Sequence, residues 1–387
     1  MAHRRELVIR NFAQIAEARI GLADLSVVVG PQATGKSLAL QWLKLAIDGN
    51  RVLGMLTTHG FDWGRNPRQL AGLFFGEGME SAWTSRTKVS FGTMPISLKG
   101  LAEGKPRYEP HRLFYVPAHR ALTISGGWPA AFRSPPPDTP FVVRAYGERV
   151  AELLTVSRAA NGTTLFPLGR RLKSELRQAI DDSILHGASI ELRTRGASRR
   201  ELQIVHRGVE LSYMAWTAGQ REFIPLLLGL YDALPAGGAQ RREPLEWVVI
   251  EEPEMGLHPK AIMTVLLLIF ELLSRGYKVV LSTHAPLILN ALWAIQLLRG
   301  RRGAPTRVLE MFGQQGNAKT LRLAEAALDS SIAVTSLDFD QEQRVWSKDI
   351  SGLDPASTEE SESGWGGLTE FNSRIAERLS AAVEEDR

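Results

Sequence analysis

The sequence predicts an α/β fold: a mostly parallel sheet with helices on both faces. Three observations predict it. Short apolar runs at Leu25–Val29, Leu113–Val116, Trp247–Ile250 and Val279–Ser282 have the pattern of strands buried on both sides. They alternate with helical patterns, of which Pro259–Arg275, stopped by Gly276, is the longest. The Leu25–Val29 run breaks at Gly30-Pro31 and is followed by Leu38, Trp42, Leu45 and Ala46 at helical spacing. That is strand, glycine loop, helix.

The elements follow in order. Glu6–Val29 alternates like two strands, one carrying Leu7, Ile9 and Phe12, the other Leu25, Val27 and Val29. Residues 50–110 are punctuated by Gly and Pro and show no clear element. Leu113–Val116 is a strand closed by Pro117, and 126–140, around Ser134-Pro135-Pro136-Pro137, is loop-like. Arg144–Leu154 and Gly169–Leu185 have helical patterns, and Ser189–Thr194 with Glu201–His206 reads as a hairpin. Residues 50–210 therefore suggest a second lobe inserted after the first helix. Residues 211–300 carry a helix near Gln220–Leu230, two buried strands, the long helix and a further helix at Leu287–Leu298. Residues 301–387 read as a C-terminal extension. Within it, Pro355–Gly367 is Ser/Glu/Gly-rich and expected to be a mobile loop, and Asn372–Val383 an amphipathic helix.

Composition narrows the function. The chain has 387 residues with 44% apolar content, enough for a large core. It has no cysteine, which excludes disulfides, cysteine-ligated zinc and a cysteine nucleophile, and fits the cytosol. Its longest apolar run, Ala261–Leu273, falls short of the roughly 18 residues a membrane span needs. Met1-Ala2-His3-Arg4-Arg5-Glu6 lacks the apolar stretch of a secretory signal. The expected location is cytoplasmic, with no membrane partner. The net charge is +4, with basic clusters at Arg170, Arg171, Lys173 and Arg177, and at Arg193, Arg195, Arg199, Arg200 and Arg207. Such clusters bind phosphate backbones or merely face water, and charge alone leaves both readings open.

The strongest motif is Gly30-Pro31-Gln32-Ala33-Thr34-Gly35-Lys36-Ser37, which fits the phosphate-loop pattern G-x-x-x-x-G-K-[ST]. Its glycines let the backbone curl so that successive N–H groups, from Gly30, Gln32, Ala33, Thr34 and Gly35 through Leu38, can face phosphate oxygens. Lys36 reaches the β- and γ-phosphates, and the Ser37 hydroxyl ligates Mg²⁺. Next, the apolar strand Trp247–Ile250 delivers Glu251 and Glu252, followed by Pro253 and Glu254. Successive strand residues point to opposite sides, so Glu251 can take the metal side and Glu252 the general-base side. Alone, this pair also reads as an acidic turn. Leu281-Ser282-Thr283-His284 ends another apolar strand in a histidine, either structural or a sensor of the γ-phosphate. Trp216-Thr217-Ala218-Gly219-Gln220-Arg221-Glu222 precedes a helix, and alone reads as a helix cap or an anion-binding turn.

In this order the four motifs resemble an ABC-type ATPase: Walker A at 30–37, signature at 216–220, Walker B at 247–252 and switch histidine at 284. The signature is a degenerate L-S-G-G-Q in which Trp216, Thr217 and Ala218 replace the first three residues. Glu251 stands where many members carry Asp. Glu252-Pro253-Glu254, Leu257-His258-Pro259, Ile9-Arg10-Asn11-Phe12 and Tyr115-Val116-Pro117-Ala118-His119-Arg120 are similar to a narrower soluble group. That group comprises ATPases akin to RecF, SMC-like heads and the overcoming-lysogenisation-defect proteins, without a Toprim domain here. The resemblance implies one phosphate-loop NTPase head of the ABC type over 1–387, with a mostly parallel sheet, an antiparallel β portion and an inserted lobe. It implies ATP and Mg²⁺ as cofactors, with Lys36, Glu252 and His284 catalytic and Ser37 and Glu251 at the metal. It also implies an ATP-sandwich homodimer or higher homo-oligomer in which Thr217, Gly219 and Gln220 act in trans. Gly256-Leu257-His258 would be its D-loop, and His119 and Arg120 would approach the nucleotide.

The function this implies is ATP hydrolysis in a DNA-directed complex of anti-phage defence or repair, controlling a separately encoded effector such as a nuclease. DNA is a further expected partner. The alternatives are the ATPase of a membrane transporter, a P-loop small-molecule kinase, and a scaffold that binds ATP without turning it over. The E-E-P-E and L-H-P residues and the middle lobe speak against the transporter. The kinase leaves the signature, acidic pair and histidine unexplained, and Glu252 speaks against the scaffold.

Overall fold

The computed structural model describes residues 5–159, 164–168, 171–195, 199–235 and 241–385. The chain opens with β1 (Arg5–Phe12), β2 (Ile15–Leu22) and β3 (Leu25–Val29), then α1 (Lys36–Thr58) and α2 (Pro67–Phe75). There follow β4 (Lys88–Phe91), β5 (Met94–Ile96), α3 (Leu98–Glu103) and β6 (Leu113–Val116). A small hairpin of β7 (Ile124–Ser125) and β8 (Trp128–Pro129) leads to α4 (Phe141–Ala159). Then come β9 (Thr164–Phe166), α5 (Ser174–Ile180), β10 (Ser189–Arg195), β11 (Arg199–His206) and β12 (Val209–Ser212). The second half carries α6 (Ala218–Ala233), β13 (Trp247–Glu251), α7 (Pro259–Ser274), β14 (Lys278–Ser282) and α8 (Pro286–Leu298). It closes with α9 (Ala304–Met311), α10 (Ala318–Asp329), β15 (Ile332–Phe339), β16 (Val345–Asp349), α11 (Glu360–Ser363) and α12 (Glu370–Glu385).

Ten strands form one sheet in the order β5-β4-β1-β2-β16-β15-β3-β14-β13-β6. Strands β15, β3, β14, β13 and β6 run parallel. Strands β5, β4, β1 and β2 form an antiparallel wing, joined through β16, which is parallel to β2 and antiparallel to β15. The fold class is therefore α/β with a parallel core and an antiparallel portion. A separate antiparallel sheet, β12-β11-β10-β9, lies within the middle of the chain.

Alternation along the strands divides the core into two layers. Leu25, Val27 and Val29, with Val248, Ile250, Val279 and Leu281, face α6, α7 and α8. Val28, Trp247, Val249 and Val280 face α1, together with Trp42, Leu43 and Phe12. Helices on both faces explain why these strands lack a polar side.

Several expectations change. Glu6–Val29 holds three strands, because the turn between Phe12 and Ile15 is too short to interrupt the alternation. Residues 50–110 contain the end of α1, α2, α3 and two wing strands. The helix expected over Gly169–Leu185 is α5 followed by a π-turn at Asp181–Leu185, and Gly169 and Arg170 lie outside the described residues. Residues 301–387 supply β15, which lies in the heart of the sheet beside β3. The polar stretch at Pro355–Gly367 contains α11 and is pinned by Trp365. Trp365 is buried and its indole N–H donates to the Leu353 carbonyl at 3.2 Å. One large apolar side chain outweighs polar composition there.

Candidate nucleotide site

The site lies where three adjacent parallel strands end. β14 sits between β3 and β13, with Leu281 paired to Val27 on one side and Ile250 on the other. The loop after β3, the acidic residues after β13 and the histidine after β14 therefore emerge at one edge, the usual ligand side of such sheets.

The phosphate loop is built by its neighbours. Gly30 has φ +137°, and a Cβ there would collide with the Leu337 carbonyl of β15. Gly35 has φ +85° and begins α1 without a side-chain cap. No acidic residue occupies the first turn, so the first amide N–H groups of α1 remain available to an anion. The Gln14 side chain donates to the Ala33 carbonyl at 2.7 Å, and Thr34 Oγ1 donates to the Pro31 carbonyl at 2.9 Å. Lys36 Nζ donates to the Gly30 and Pro31 carbonyls, both at 2.8 Å. Burial lowers the Lys36 pKa to about 8, with Glu252 and Glu254 opposing the shift.

Glu251 is buried at the end of β13. Its Oε2 accepts from the Ala118 N–H at 2.9 Å, while Oε1 is buried without a hydrogen-bond partner. Burial raises its pKa, and Ala118, Ser37 and Tyr115 pull the other way. An orphaned carboxylate oxygen beside Ser37 suits a phosphate-bound divalent cation. No cluster of three or more His, Cys, Asp or Glu among the described residues could hold a metal by itself. A hydroxyl from Ser37 and a carboxylate from Glu251 are the hard oxygen donors that Mg²⁺ takes.

Glu252 leaves the strand with φ +42°, a left-handed conformation that costs a non-glycine residue about 1–3 kcal/mol. Its direction is set by this turn, and the expected strand alternation does not extend to it. The turn is held by the Glu252 N–H donating to the Ser282 carbonyl at 2.9 Å. His284 Nε2 lies 3.7 Å from Glu252 Oε1. Burial, then Lys36, lowers the His284 pKa, so the ring is neutral at neutral pH. Glu254 clamps the histidine segment: its Oε1 accepts from Thr283 Oγ1 at 2.8 Å and from the His284 N–H at 2.6 Å.

The structure therefore brings Lys36, Glu252 and His284 into one electrostatic neighbourhood, with Ser37 beside Glu251. Thr217, Gly219 and Gln220 contribute no hydrogen bond to that cluster among the described residues. Thr217 and Gln220 form a reciprocal cap on α6, at 3.0 and 3.2 Å. Gly219 packs against the Gly256 carbonyl, so the 216–220 and 256–258 turns lie back to back. Thr217 is exposed.

Arg120 differs from expectation. It is fully buried, and its guanidinium donates to the carbonyls of Glu222, Glu251 and Glu252 rather than facing the loop. His119 is exposed. Gln14 and the clamp by Glu254 carried no assigned role in the sequence. Glu254 sits in a recognisable motif, but its partners lie about 30 residues on. A cavity of about 650 Å³ between α1, β6 and α4 shares Tyr115 with the site.

The arrangement sets a carboxylate and a neutral imidazole beside a loop whose amide N–H groups are open to an anion. No helix among the described residues is long and apolar enough to cross a membrane.

Comparison with known proteins found the following similarities. Residues 177–290 match a family described as "AAA domain, putative AbiEii toxin, Type IV TA system". The match spans the 216–222, 247–254 and 284 segments and stops short of the phosphate loop. No curated protein matches the chain. Among solved structures, an SMC head bound to the C-terminal winged-helix domain of ScpA is 11% identical, covering 89% of this chain and 97% of its own, with a TM-score of 0.40. The SMC head domain from Thermotoga maritima is 13% identical over 89% and 97%, with a TM-score of 0.35. The Pyrococcus furiosus Smc head with an extended coiled coil, bound to the C-terminal domain of ScpA, is 9% identical over 97% and 98%, with a TM-score of 0.37. In its matched segment this chain is similar to AAA-type phosphate-loop ATPases.

Proposed function

We propose that the chain binds and hydrolyses ATP as an ABC-type head, closing on a second copy around the nucleotide. The observation that carries this is the convergence of Lys36, Glu252 and His284 at adjacent strand ends, with Ser37 and Glu251 alongside. Backbone N–H groups of Gly30 and of Gln32 through Leu38 cradle the phosphates, and Lys36 trades its two loop carbonyls for β- and γ-oxygens. Ser37 and Glu251 would hold Mg²⁺, which would supply neutralisation of phosphate charge. Glu252 takes a proton from the attacking water, and neutral His284 donates to the γ-phosphate.

The exposed Thr217 cap, with Gly219 and Gln220, meets the γ-phosphate held by the other copy. Hydrolysis removes the bridging phosphate and releases the pair. Steady-state ATP turnover tests the reading. The wild type should hydrolyse ATP with Mg²⁺, and Glu252→Gln should bind ATP, dimerise and hold it. A wild-type chain with no ATP affinity refutes it.

We further propose that the head serves a DNA-directed defence or repair complex with a separate effector. The Glu252-Pro253-Glu254 and Leu257-His258-Pro259 residues support this, as does the toxin–antitoxin description of the matched family. Native purification should recover an effector protein or DNA. A chain that remains solitary and ignores DNA contradicts it.

A further inference from the structure

We propose that Arg120 is a positioning residue that ties the first turn of α6 to the backbone carrying Glu252, so that displacement of the 216–222 segment reaches the glutamate within one chain. The inference rests on the ATPase reading above.

The geometry is specific. Arg120 Nε donates to the Glu222 carbonyl at 3.0 Å. Nη1 donates to the Glu251 carbonyl at 2.9 Å and to Pro117 at 3.4 Å. Nη2 donates to the Glu252 carbonyl at 3.0 Å. The Glu222 carboxylate stands 3.4 Å from Nε. One planar fork thus spans three segments: the turn after β6, the end of β13 and the start of α6. A lysine amine cannot reach these carbonyls at once, because its donors radiate from a point.

A buried cation is costly unless fully engaged. Burial lowers the Arg120 pKa, and Glu222 opposes that most strongly. Burial likewise raises the Glu222 pKa. Glu222 Oε2 has no hydrogen bond in good geometry, so its hold on Arg120 is electrostatic. The Glu252 turn, at φ +42°, persists because its surroundings hold it at both ends. Ser282 accepts from its N–H, while Arg120 and the Met255 N–H donate to its carbonyl. The other end of the link leads to the exposed turn with Thr217. A shift of α6 therefore pulls directly on the Glu251–Glu252 backbone.

The test uses the full chain as wild type, Arg120→Lys and Glu222→Gln, with turnover of ATP and Mg²⁺ and thermal midpoints measured in parallel. Arg120→Lys should lower kcat about ten-fold or more with KM within about two-fold, and Glu222→Gln about three-fold or more at unchanged KM. A packing role would instead lower the midpoint and leave kcat intact. If Arg120→Lys does not fold, Glu222→Gln decides. Wild-type kcat in Glu222→Gln, or a raised KM at unchanged kcat, overturns the inference. A wild-type chain without ATP turnover overturns the proposed function itself.

Discussion

His284 Nε2 and Glu252 Oε1 stand 3.7 Å apart at the ends of neighbouring parallel strands. The gap is too long for a direct hydrogen bond. In the proposed reading the neutral imidazole does not pair with the carboxylate, which serves as the base. Glu252→Gln keeps the shape and removes the proposed base. Its kcat should fall about 10²–10⁴-fold with ATP still bound, as read by single-turnover and equilibrium binding. Loss of binding along with turnover would show that Glu252 serves the loop and not the chemistry.

Lys36 predicts a pH signature for binding. Its pKa of about 8 in the free chain follows from burial. Phosphate oxygens favour the charged form, so they raise that pKa. Above pH 8 the free chain is partly deprotonated and the complex is not, so binding takes up protons and affinity falls as pH rises. Calorimetry at pH 8.5 in two buffers of different ionisation enthalpy should record that uptake. Identical apparent enthalpies would contradict it.

Gly30→Ala tests the seat of the loop. The new methyl would meet the Leu337 carbonyl at a backbone angle that alanine rarely adopts. Stability should fall by about 2–4 kcal/mol in urea unfolding, with ATP affinity reduced. A stable variant with normal affinity would mean that β15 yields easily.

Lys44 and Asp48 form a buried pair at 2.6 Å inside α1. Burial alone would raise the Asp48 pKa. Lys44, His111 and the Arg112 N–H outweigh it and hold the carboxyl below its ordinary range. Since the folded pKa is depressed, this stabilisation is full above the unfolded value and is lost as pH falls through the acid range. Lys44→Met should cost about 3 kcal/mol at pH 7. It should also flatten the acid limb of stability against pH. An undiminished acid dependence would remove Lys44 from that role.

The residues of the candidate site were legible because each motif is local. Gly30–Ser37, Glu251-Glu252 and His284 each follow a short apolar run, and contiguous residues on a buried strand announce both position and exit point. The parallel core was legible for the same reason: strands buried on both faces lack polar positions.

What tertiary structure alone decided involves partners far apart in the chain. β15, from the polar last quarter, enters the sheet beside β3 and sets the limit on Gly30. Arg120 turned inward because three distant carbonyls met its donors. Glu254 found its partners just past the end of β14, and Glu252 took a left-handed turn that strand alternation does not foresee. Periodicity reports which face of an element is apolar. It carries no information on which remote donors, acceptors and backbones will be packed against that face, and those contacts fix the orientation of a functional side chain.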